Sequence, residues 1–213
     1  MKSPIERKNR LLNKQTSLTK KEKDLFGYFG VDAKIKPPFR ILNPHRIYVG
    51  DRTSIQEHAH INAFEDLSFL KEYVASRHQR DLSVEDYRYD SKTEIGAENQ
   101  IGRFFFLSCT SLVKLDDNVL ISERVFIGDN NHSFSHREVP IMQQPNKRGQ
   151  PIRIKYGSWI GTGAAILAGT EIGRLSVVGG NSVCKGKFPD YSVIGPEPSR
   201  LLFTRFTTRK KKS

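Results

Sequence analysis

A polar segment in the second half of the chain, residues 129–153, holds side chains suited to proton transfer. It contains His132 and His136, and Asp129 and Asn131 lie close to the first histidine. A neutral imidazole, with an unperturbed pKa of about 6.5, can accept and return a proton near neutral pH. Asp129 or Asn131 could hold the tautomer of that ring, although a turn-forming role explains both residues equally well. The segment favours a general base at His132 over an exposed loop histidine, and leaves His136 open between a substrate contact and a surface residue.

The remaining chemically reactive side chains lie outside this segment. Cys109 and Cys184 are the only cysteines, so no disulfide framework is implied, and neither is placed to act as a nucleophile beside His132. His58 and His60 stand two residues apart, a spacing that could direct both rings to one side of a strand. That pair is the signal for an alternative, a metal site built from three histidines.

A six-residue period of aliphatic residues must position all of these side chains. The runs are Val49, Ile55, Ile61; Ile95, Ile101, Leu107; Leu115, Ile121, Ile127; and Ile154, Ile160, Ile166, Ile172, Val178. Six residues match neither a 3.6-residue helix nor a simple alternating strand. The period is typical of hexapeptide repeats, in which short strands and tight turns alternate in a parallel β-helix. We therefore predict an all-β chain whose inward aliphatic residues stack from coil to coil.

Two interruptions of the period divide the predicted coil, which we place at residues 41–200. The first excursion, residues 64–92, has apolar residues at helical spacing between 67 and 74, which predicts a short inserted helix and then a loop. The second excursion, residues 129–153, is the histidine-bearing segment. A polar excursion of this length from a regular stack is more often functional than a plain connection.

Residues 1–40 are predicted to form a basic extension that is partly helical and lies outside the coil. Thr19 and Glu22 have the spacing of a capping box, which predicts the start of a short helix. Pro37 and Pro38 then favour an extended entry into the coil, since proline fixes φ and removes a donor.

The formal net charge of +12 is concentrated at the two ends of the chain. Residues 1–23 hold 8 basic and 2 acidic side chains, and residues 200–213 hold 6 basic and no acidic ones, so each end carries +6. Solvated tails are the simplest interpretation, including a C-terminal tail at 201–213, and docking to an anionic membrane or acidic polymer is the alternative. No nucleic-acid partner is expected, because no recognition fold accompanies the charge. Without an apolar run of membrane-spanning length, the expected location is cytoplasmic, with the inner membrane face as the docking alternative.

Four stretches resemble hexapeptide-repeat acyltransferases, close to the galactoside, maltose and polysaccharide O-acetyltransferases. They are residues 131–136 with 149–152, residues 157–164 around Trp159-Ile160-Gly161, residues 172–183, and the exit at 188–200. The resemblance covers residues 115–203 well, and residues 41–107 by period alone. It implies a left-handed parallel β-helix, acetyl-CoA as acyl donor, a saccharide acceptor, and a homotrimer with active sites between subunits.

On the acceptor side, the resemblance implies that His132 is the catalytic base. His136, Asn131 and Asp129 would then lie near the substrate. Phe104 stands in a coil where sugar acetyltransferases carry a substrate-contacting asparagine, so ring stacking against a sugar face is expected there instead.

On the coenzyme side, the resemblance implies that Trp159 and Thr162 border the pantetheine arm of acetyl-CoA. Gly180 would allow close backbone approach because it has no β-carbon. Lys185 and Arg200 would approach the phosphates or the adenine. Plain side-wall packing is the alternative for Trp159.

The leading interpretation is O-acetyl transfer from acetyl-CoA to a hydroxyl of a cell-surface polysaccharide or its precursor, with no metal required. N-acetylation of a nucleotide-linked amino sugar is the alternative within the same class. A γ-carbonic-anhydrase-like metalloenzyme that uses His58 and His60 is a second alternative, and a catalytically silent scaffold is a third.

Overall fold

Short strands stacked in three sheets make up most of the described structure. The computed structural model describes residues 11–66, 88–135, 137, 139–144, 146–196 and 201–204. Face A consists of β1 (Leu11–Lys14), β4 (Phe39–Leu42), β7 (Ala59–Ala63), β10 (Phe106–Cys109), β13 (Phe126–Gly128), β18 (Ala165–Leu167) and β21 (Val183–Cys184). Face B consists of β2 (Tyr28–Phe29), β5 (Ile47–Val49), β8 (Lys92–Ile95), β11 (Leu112–Leu115), β16 (Ile152–Ile154), β19 (Glu171–Ile172) and β22 (Lys187–Phe188). Face C consists of β3 (Lys34–Ile35), β6 (Ser54–Ile55), β9 (Gln100–Ile101), β12 (Leu120–Ile121), β17 (Trp159–Ile160), β20 (Val177–Val178), β23 (Ser192–Ile194) and β24 (Leu201–Thr204).

The core is a set of columns of aliphatic side chains that run along the stack. In each coil the chain passes from face B to face C to face A, and successive coils pair in parallel. On face A, Ile61, Leu107, Ile127 and Ile166 lie in register and are fully buried. Burial of each such side chain contributes about 1.5–3 kcal/mol, so each coil stabilises its neighbours. The predicted all-β, parallel β-helix is confirmed.

The length of a coil decreases along the stack. Tyr28 pairs with Tyr48, twenty residues later, whereas Trp159 pairs with Val177, eighteen residues later. The change follows the strands of face A, which shorten from five residues in β7 to two in β21. The predicted six-residue period therefore describes the later coils best, because there each side of the coil is one hexapeptide.

The three corners of the coil place the functional segments. The A–B corner joins face A to face B, and both excursions leave the coil there, between β7 and β8 and between β13 and β16. The C–A corner joins face C to face A and consists of short turns at 102–105, 122–125, 161–164 and 179–182. The helix predicted between residues 67 and 74 lies outside the described residues.

The N-terminal segment differs from the prediction. The capping box at Thr19 and Glu22 is present and begins a single helical turn, α1 (Lys20–Lys23). Most of the segment is not helical: β1 pairs antiparallel with β4, and the parallel stack begins at Tyr28 rather than near residue 41. The six-residue period in fact extends back from Ile41 through Ile35 to Phe29. The prediction stopped short of these residues because Pro37 and Pro38 suggested an entry segment.

Both ends of the stack carry an antiparallel strand. β1 lies along β4 on face A, and β24 lies along β23 on face C. These strands satisfy edge groups that would otherwise be open for pairing with another chain. Within the described residues, the structure has no helix long and apolar enough to cross a membrane.

Candidate active site

His132 lies in a small hairpin that the second excursion forms at the A–B corner. The hairpin pairs β14 (Asn131–His132) antiparallel with β15 (Asn146–Lys147), and His132 stands directly opposite Asn146. His132 is exposed, as is Phe134, whose ring lies 4.7 Å from the Lys147 ammonium. A 3₁₀ turn, Ile141–Gln143, lies between the two strands in the chain. The arrangement presents an accessible imidazole on a hydrogen-bonded strand pair.

The base of the excursion is held by Asp129, which is fully buried. Its Oδ1 accepts from the Thr110 backbone N–H at 2.8 Å and its Oδ2 accepts from the Ser111 N–H at 2.8 Å, on the preceding coil. The Asn130 side chain donates to the same carboxylate at 3.1 Å. Gly149 packs so closely on Asp129 that a β-carbon would collide with it. Asp129 therefore anchors the excursion and is not the predicted substrate contact, because its carboxylate is enclosed.

The excursion also has a small interior of its own. Val139 and Gln144 are buried, and the Gln144 amide donates to the Val139 carbonyl oxygen at 2.7 Å. The hydroxyls of Ser133 and Ser135 lie 2.9 Å apart. These contacts order the segment that follows His132 in the chain. The other predicted histidine, His136, lies outside the described residues.

Three of the residues predicted to bind coenzyme lie together on another side of the coil. Trp159 is on the outer surface of face C, is 47% exposed, and donates from Nε1 to the Ser122 hydroxyl at 2.9 Å. Thr162 and Gly180 lie on successive turns of the C–A corner, joined by the Asn181 N–H, which donates to the Thr162 carbonyl at 2.8 Å. Both are exposed. They form an open ledge beside the indole.

The other predicted coenzyme residues are not on this ledge. Lys185 is exposed in the turn that joins face A to face B, so it belongs to the A–B corner. Arg200 lies outside the described residues.

Phe104, the predicted sugar-stacking residue, is at the C–A corner. It has a left-handed backbone, φ 57°, and its ring is 49% exposed. One face of the ring stacks on His58, with centroids 4.6 Å apart and planes 6° from parallel. One ring face is therefore already occupied, and only the other remains for a ligand.

Within one chain the candidate base and the coenzyme ledge do not meet. His132 lies at the A–B corner, whereas Thr162, Gly180 and Phe104 lie at the C–A corner, across face A. The outer surface of face A between them carries an aromatic row in which Phe106 and Phe126 stack at 5.7 Å. The candidate base and the ledge therefore lie at opposite edges of face A.

A charged cavity at the A–B corner was not predicted from the sequence. It has a volume of about 330 Å³ and lies between the described stem of the first excursion and the second excursion; its lining is Arg46, Glu65, Asp66, Arg88, Tyr89, Asp90 and Arg148. Arg46 donates to Asp90 at 2.6 Å and to Glu65 at 3.1 Å. Burial lowers the pKa of Arg46, but the hydrogen bonds to Asp90 and Glu65 outweigh it, so the pKa lies above its ordinary value. No local motif signals this cavity, because it forms only when both excursions leave from one corner.

No protein-family model matches the chain. Among curated proteins, a probable acetyltransferase of Mycobacterium tuberculosis is 27% identical over 171 residues, 78% of this chain and 54% of the relative. A putative lipopolysaccharide biosynthesis O-acetyl transferase of Escherichia coli is 32% identical over 111 residues, 48% of this chain and 56% of the relative. The galactoside O-acetyltransferase of Escherichia coli is 30% identical over 111 residues, 50% of this chain and 54% of the relative. The chain thus spans about half the length of the curated relatives it matches.

Solved structures show the same fold at lower identity. AntD, an N-acyltransferase from Bacillus cereus in complex with dTDP and 3-hydroxybutyryl-CoA, has a TM-score of 0.68 and 19% identity, over 91% of this chain and 92% of AntD. A hexapeptide-repeat acetyltransferase of Vibrio cholerae complexed with acetyl coenzyme A has a TM-score of 0.53 and 22% identity, over 87% of this chain and 74% of its own.

The fold is that of the hexapeptide-repeat class of left-handed parallel β-helices. The sequence relatives are named as acetyltransferases, and the chain has the hexapeptide-repeat fold, so the resemblance to hexapeptide-repeat acyltransferases that the four stretches indicated is confirmed.

Proposed function

We propose that this chain is an acetyl-CoA-dependent O-acetyltransferase that acts on a saccharide hydroxyl. The observation that carries the proposal is the exposed His132 on a hairpin fixed to the coil by the buried Asp129. Relatives at 30–32% identity that are named as O-acetyl transferases support the acceptor chemistry.

In the proposed reaction, one nitrogen of the neutral His132 ring accepts the proton of the acceptor hydroxyl. The hydroxyl oxygen attacks the thioester carbonyl carbon, and the tetrahedral oxyanion is stabilised by a backbone N–H donor. The C–S bond then breaks, and the imidazolium returns its proton to the departing thiolate. The products are an acetyl ester and free coenzyme A. The thioester is already activated, so no covalent enzyme intermediate is required.

The ledge of Trp159, Thr162 and Gly180 is the proposed binding surface for the pantetheine arm. The exposed indole offers apolar area, and the missing β-carbon of Gly180 leaves room beside the backbone. Lys185 and Arg200 are proposed to contact the phosphates or the adenine of the coenzyme, because positively charged side chains bind phosphate groups.

The proposed assembly is a homotrimer with active sites between subunits. The two halves of the proposed site lie on different corners of one chain, so His132 of one copy would act on acetyl-CoA held by its neighbour. The outer surfaces of faces A and C suit burial against another copy, because they carry Phe106, Phe126, Leu120 and Trp159.

The proposed acceptor is anionic or lies near an anionic surface. Each end of the chain carries +6, and clustered lysine and arginine attract acidic polymers and anionic lipid faces. A cell-surface polysaccharide or its lipid-linked precursor, presented at the inner membrane face, fits this charge.

The experiment that tests the proposal is mass spectrometry of a glycan panel incubated with labelled acetyl-CoA. The panel pairs neutral with acidic glycans, each with and without vesicles that contain anionic lipid. We expect labelled ester on a glycan, with acidic or membrane-associated acceptors preferred. His132→Ala should lower kcat by at least about 100-fold, since general bases contribute 10²–10⁴-fold, while calorimetry shows unchanged acetyl-CoA binding. Arg137→Ala, an exposed residue of the same excursion, is the matched control and should retain activity.

Two results would contradict this proposal. A His132→Ala variant that binds acetyl-CoA more weakly but keeps the wild-type kcat at saturating acetyl-CoA would remove the base assignment. A wild-type protein that neither binds acetyl-CoA nor labels any glycan would favour the alternative of a catalytically silent scaffold.

N-acetylation of a nucleotide-linked amino sugar is the second candidate. It is supported by the AntD fold, which matches over nine-tenths of both chains. Paired amine and alcohol acceptors separate the two, and so does hydroxylamine, which cleaves the ester product and leaves the amide intact. The metalloenzyme alternative gains no support from the described residues, which hold no group of three His, Cys, Asp or Glu arranged to bind a metal.

A further inference from the structure

The two excursions contact each other through Tyr89. This side chain is 4% exposed, and its hydroxyl donates to the backbone carbonyl of Asn146 at 2.9 Å. Asn146 is the residue directly opposite His132 in the β14–β15 hairpin. The first excursion therefore touches the strand that supports the candidate base.

Tyr89 is itself held firmly to the coil. Its backbone N–H donates to the Glu65 carbonyl at 2.8 Å, beside an isolated antiparallel bridge between Asp66 and Arg88. Arg46, from the A–B corner of an earlier coil, clamps both sides of this stem through Glu65 and Asp90. The contacts form a continuous chain from the coil, through Arg46 and the stem, to the Tyr89 hydroxyl and the hairpin.

We infer that Tyr89 is a positioning residue that fixes the hairpin and thereby the place of His132. The inference rests on the proposed function. The hairpin has only two residue pairs, both exposed on the His132 side, so its own hydrogen bonds constrain it weakly. The buried Tyr89 hydroxyl, which donates to the opposite strand at Asn146, fixes the distance of the hairpin from the coil. Displacement of a catalytic group by about 1 Å can reduce the rate by about 100-fold. Loss of the bond between Tyr89 and Asn146 should therefore lower the reaction rate more than it lowers the stability of the fold.

The phenolic hydroxyl and the ring of Tyr89 have separable roles. The buried ring packs, and so contributes to stability. The hydroxyl makes the bond to the hairpin. Tyr89→Phe retains the ring and removes only the donor, so the folded coil is preserved while the hairpin is released. Tyr156→Phe is the matched control, because Tyr156 is a half-exposed tyrosine in a turn between faces B and C.

The test combines kinetics with hydrogen exchange. We expect Tyr89→Phe to lower kcat about tenfold, with unchanged KM for acetyl-CoA and little change in Tm, and Tyr156→Phe to match wild type. In a His132→Ala background, Tyr89→Phe should cause no further loss, because there is no base left to position; a purely structural role would lower the rate in both backgrounds. In Tyr89→Phe, amide exchange should accelerate at 131–132 and 146–147, while exchange in the coil should match wild type.

The outcomes keep the two claims apart. Wild-type kcat in Tyr89→Phe, from an enzyme that transfers acetyl groups, overturns the inference and leaves the proposed function intact. If wild type transfers no acetyl group, the proposed function fails, and hydrogen exchange alone decides the role of Tyr89. Unchanged protection of the hairpin then overturns that role, and selective loss of protection supports it.

Discussion

At the scale of single residues, the second excursion contains two polar side chains, three positions apart, with opposite surroundings. Asp129 is enclosed and accepts two backbone N–H bonds from the preceding coil, whereas His132 is exposed on the hairpin. Asp129 fixes the start of the excursion to the coil, and His132 presents an accessible imidazole to solvent. An exposed imidazole on an anchored strand pair suits the proposed general base, because a large saccharide acceptor can reach it.

Cys109 offers a prediction about pH, because it is buried beside this anchor. Burial, and secondarily the Asp129 charge, raise the pKa of its thiol from an ordinary value of 9.0 to about 12. In the unfolded chain the thiol ionises near 9, while in the folded chain it stays protonated until about 12. Stability is therefore retained below pH 9 and falls between 9 and 12, by about 1.4 kcal/mol per pH unit. Cys109→Ala should lose about 1 kcal/mol less than wild type between pH 8.5 and 10.

Urea denaturation of both proteins at pH 7, 8.5 and 10 measures this difference. Lysine and tyrosine titrate in the same range, but they do so equally in both proteins and cancel in the comparison. Parallel stability profiles would mean that the thiol ionises as freely in the folded chain as in the unfolded one.

Residue chemistry was only partly predictable from the sequence. The sequence predicted that the segment bearing His132 leaves the coil, and it does, while the role of His132 as a base stays a prediction. The burial of Asp129 could not, because a turn-forming aspartate and a ring-orienting aspartate look alike in sequence. The contact between Tyr89 and Asn146 also left no local signal, since the two residues are 57 positions apart.

At the scale of elements, the coil depends on the registration of its inward aliphatic residues. Ile127 is fully buried between Leu107 and Ile166 on neighbouring coils. Ile127→Ala should lower the free energy of unfolding by about 2–5 kcal/mol, because it leaves a cavity that rigid neighbours cannot fill. Val31→Ala is the control: Val31 is 68% exposed in a turn, and its truncation should change stability by less than about 0.5 kcal/mol.

Chemical denaturation of the two variants and wild type gives the comparison. A loss near that of Val31→Ala for Ile127→Ala would contradict the account of the coil as a column of stacked aliphatic side chains.

The elements that the sequence predicted correctly are those with a repeating physical cause. Six-residue spacing of buried aliphatic residues predicted the coil, and the capping box predicted α1. The start of the stack was placed too late, because Pro37 and Pro38 suggested an entry segment although Phe29 and Ile35 already keep the period. Strand β1 was missed because its pairing with β4 is long-range and antiparallel.

At the scale of the whole molecule, the three faces differ in chemistry. The outer surface of face B is charged: Glu94 pairs with Lys92 and Lys114, Lys155 pairs with Glu171, and Arg153 pairs with Asp116. Faces A and C carry exposed or partly exposed aromatic and aliphatic side chains, among them Phe106, Phe126 and Trp159. This division supports the proposed trimer, in which faces A and C would contact other copies and face B would face solvent.

The two corners that carry the proposed groups lie on either side of face A. In the proposed trimer, the hairpin of one copy would lie beside the ledge of the next. A heterologous contact of this kind closes into a ring when the rotation fits, as in a trimer.

The central claim is that each active site is shared between two copies of the chain. Complementation between two inactive variants tests it most directly. His132→Ala removes the base, and Thr162→Trp blocks the exposed ledge; each alone should be inactive. Co-expressed with different tags and purified as mixed trimers, they should recover about a third of wild-type activity, since in each mixed ring an intact histidine meets an open ledge at one junction of the three. Mixed oligomers that remain as inactive as either variant alone would contradict a site shared between copies.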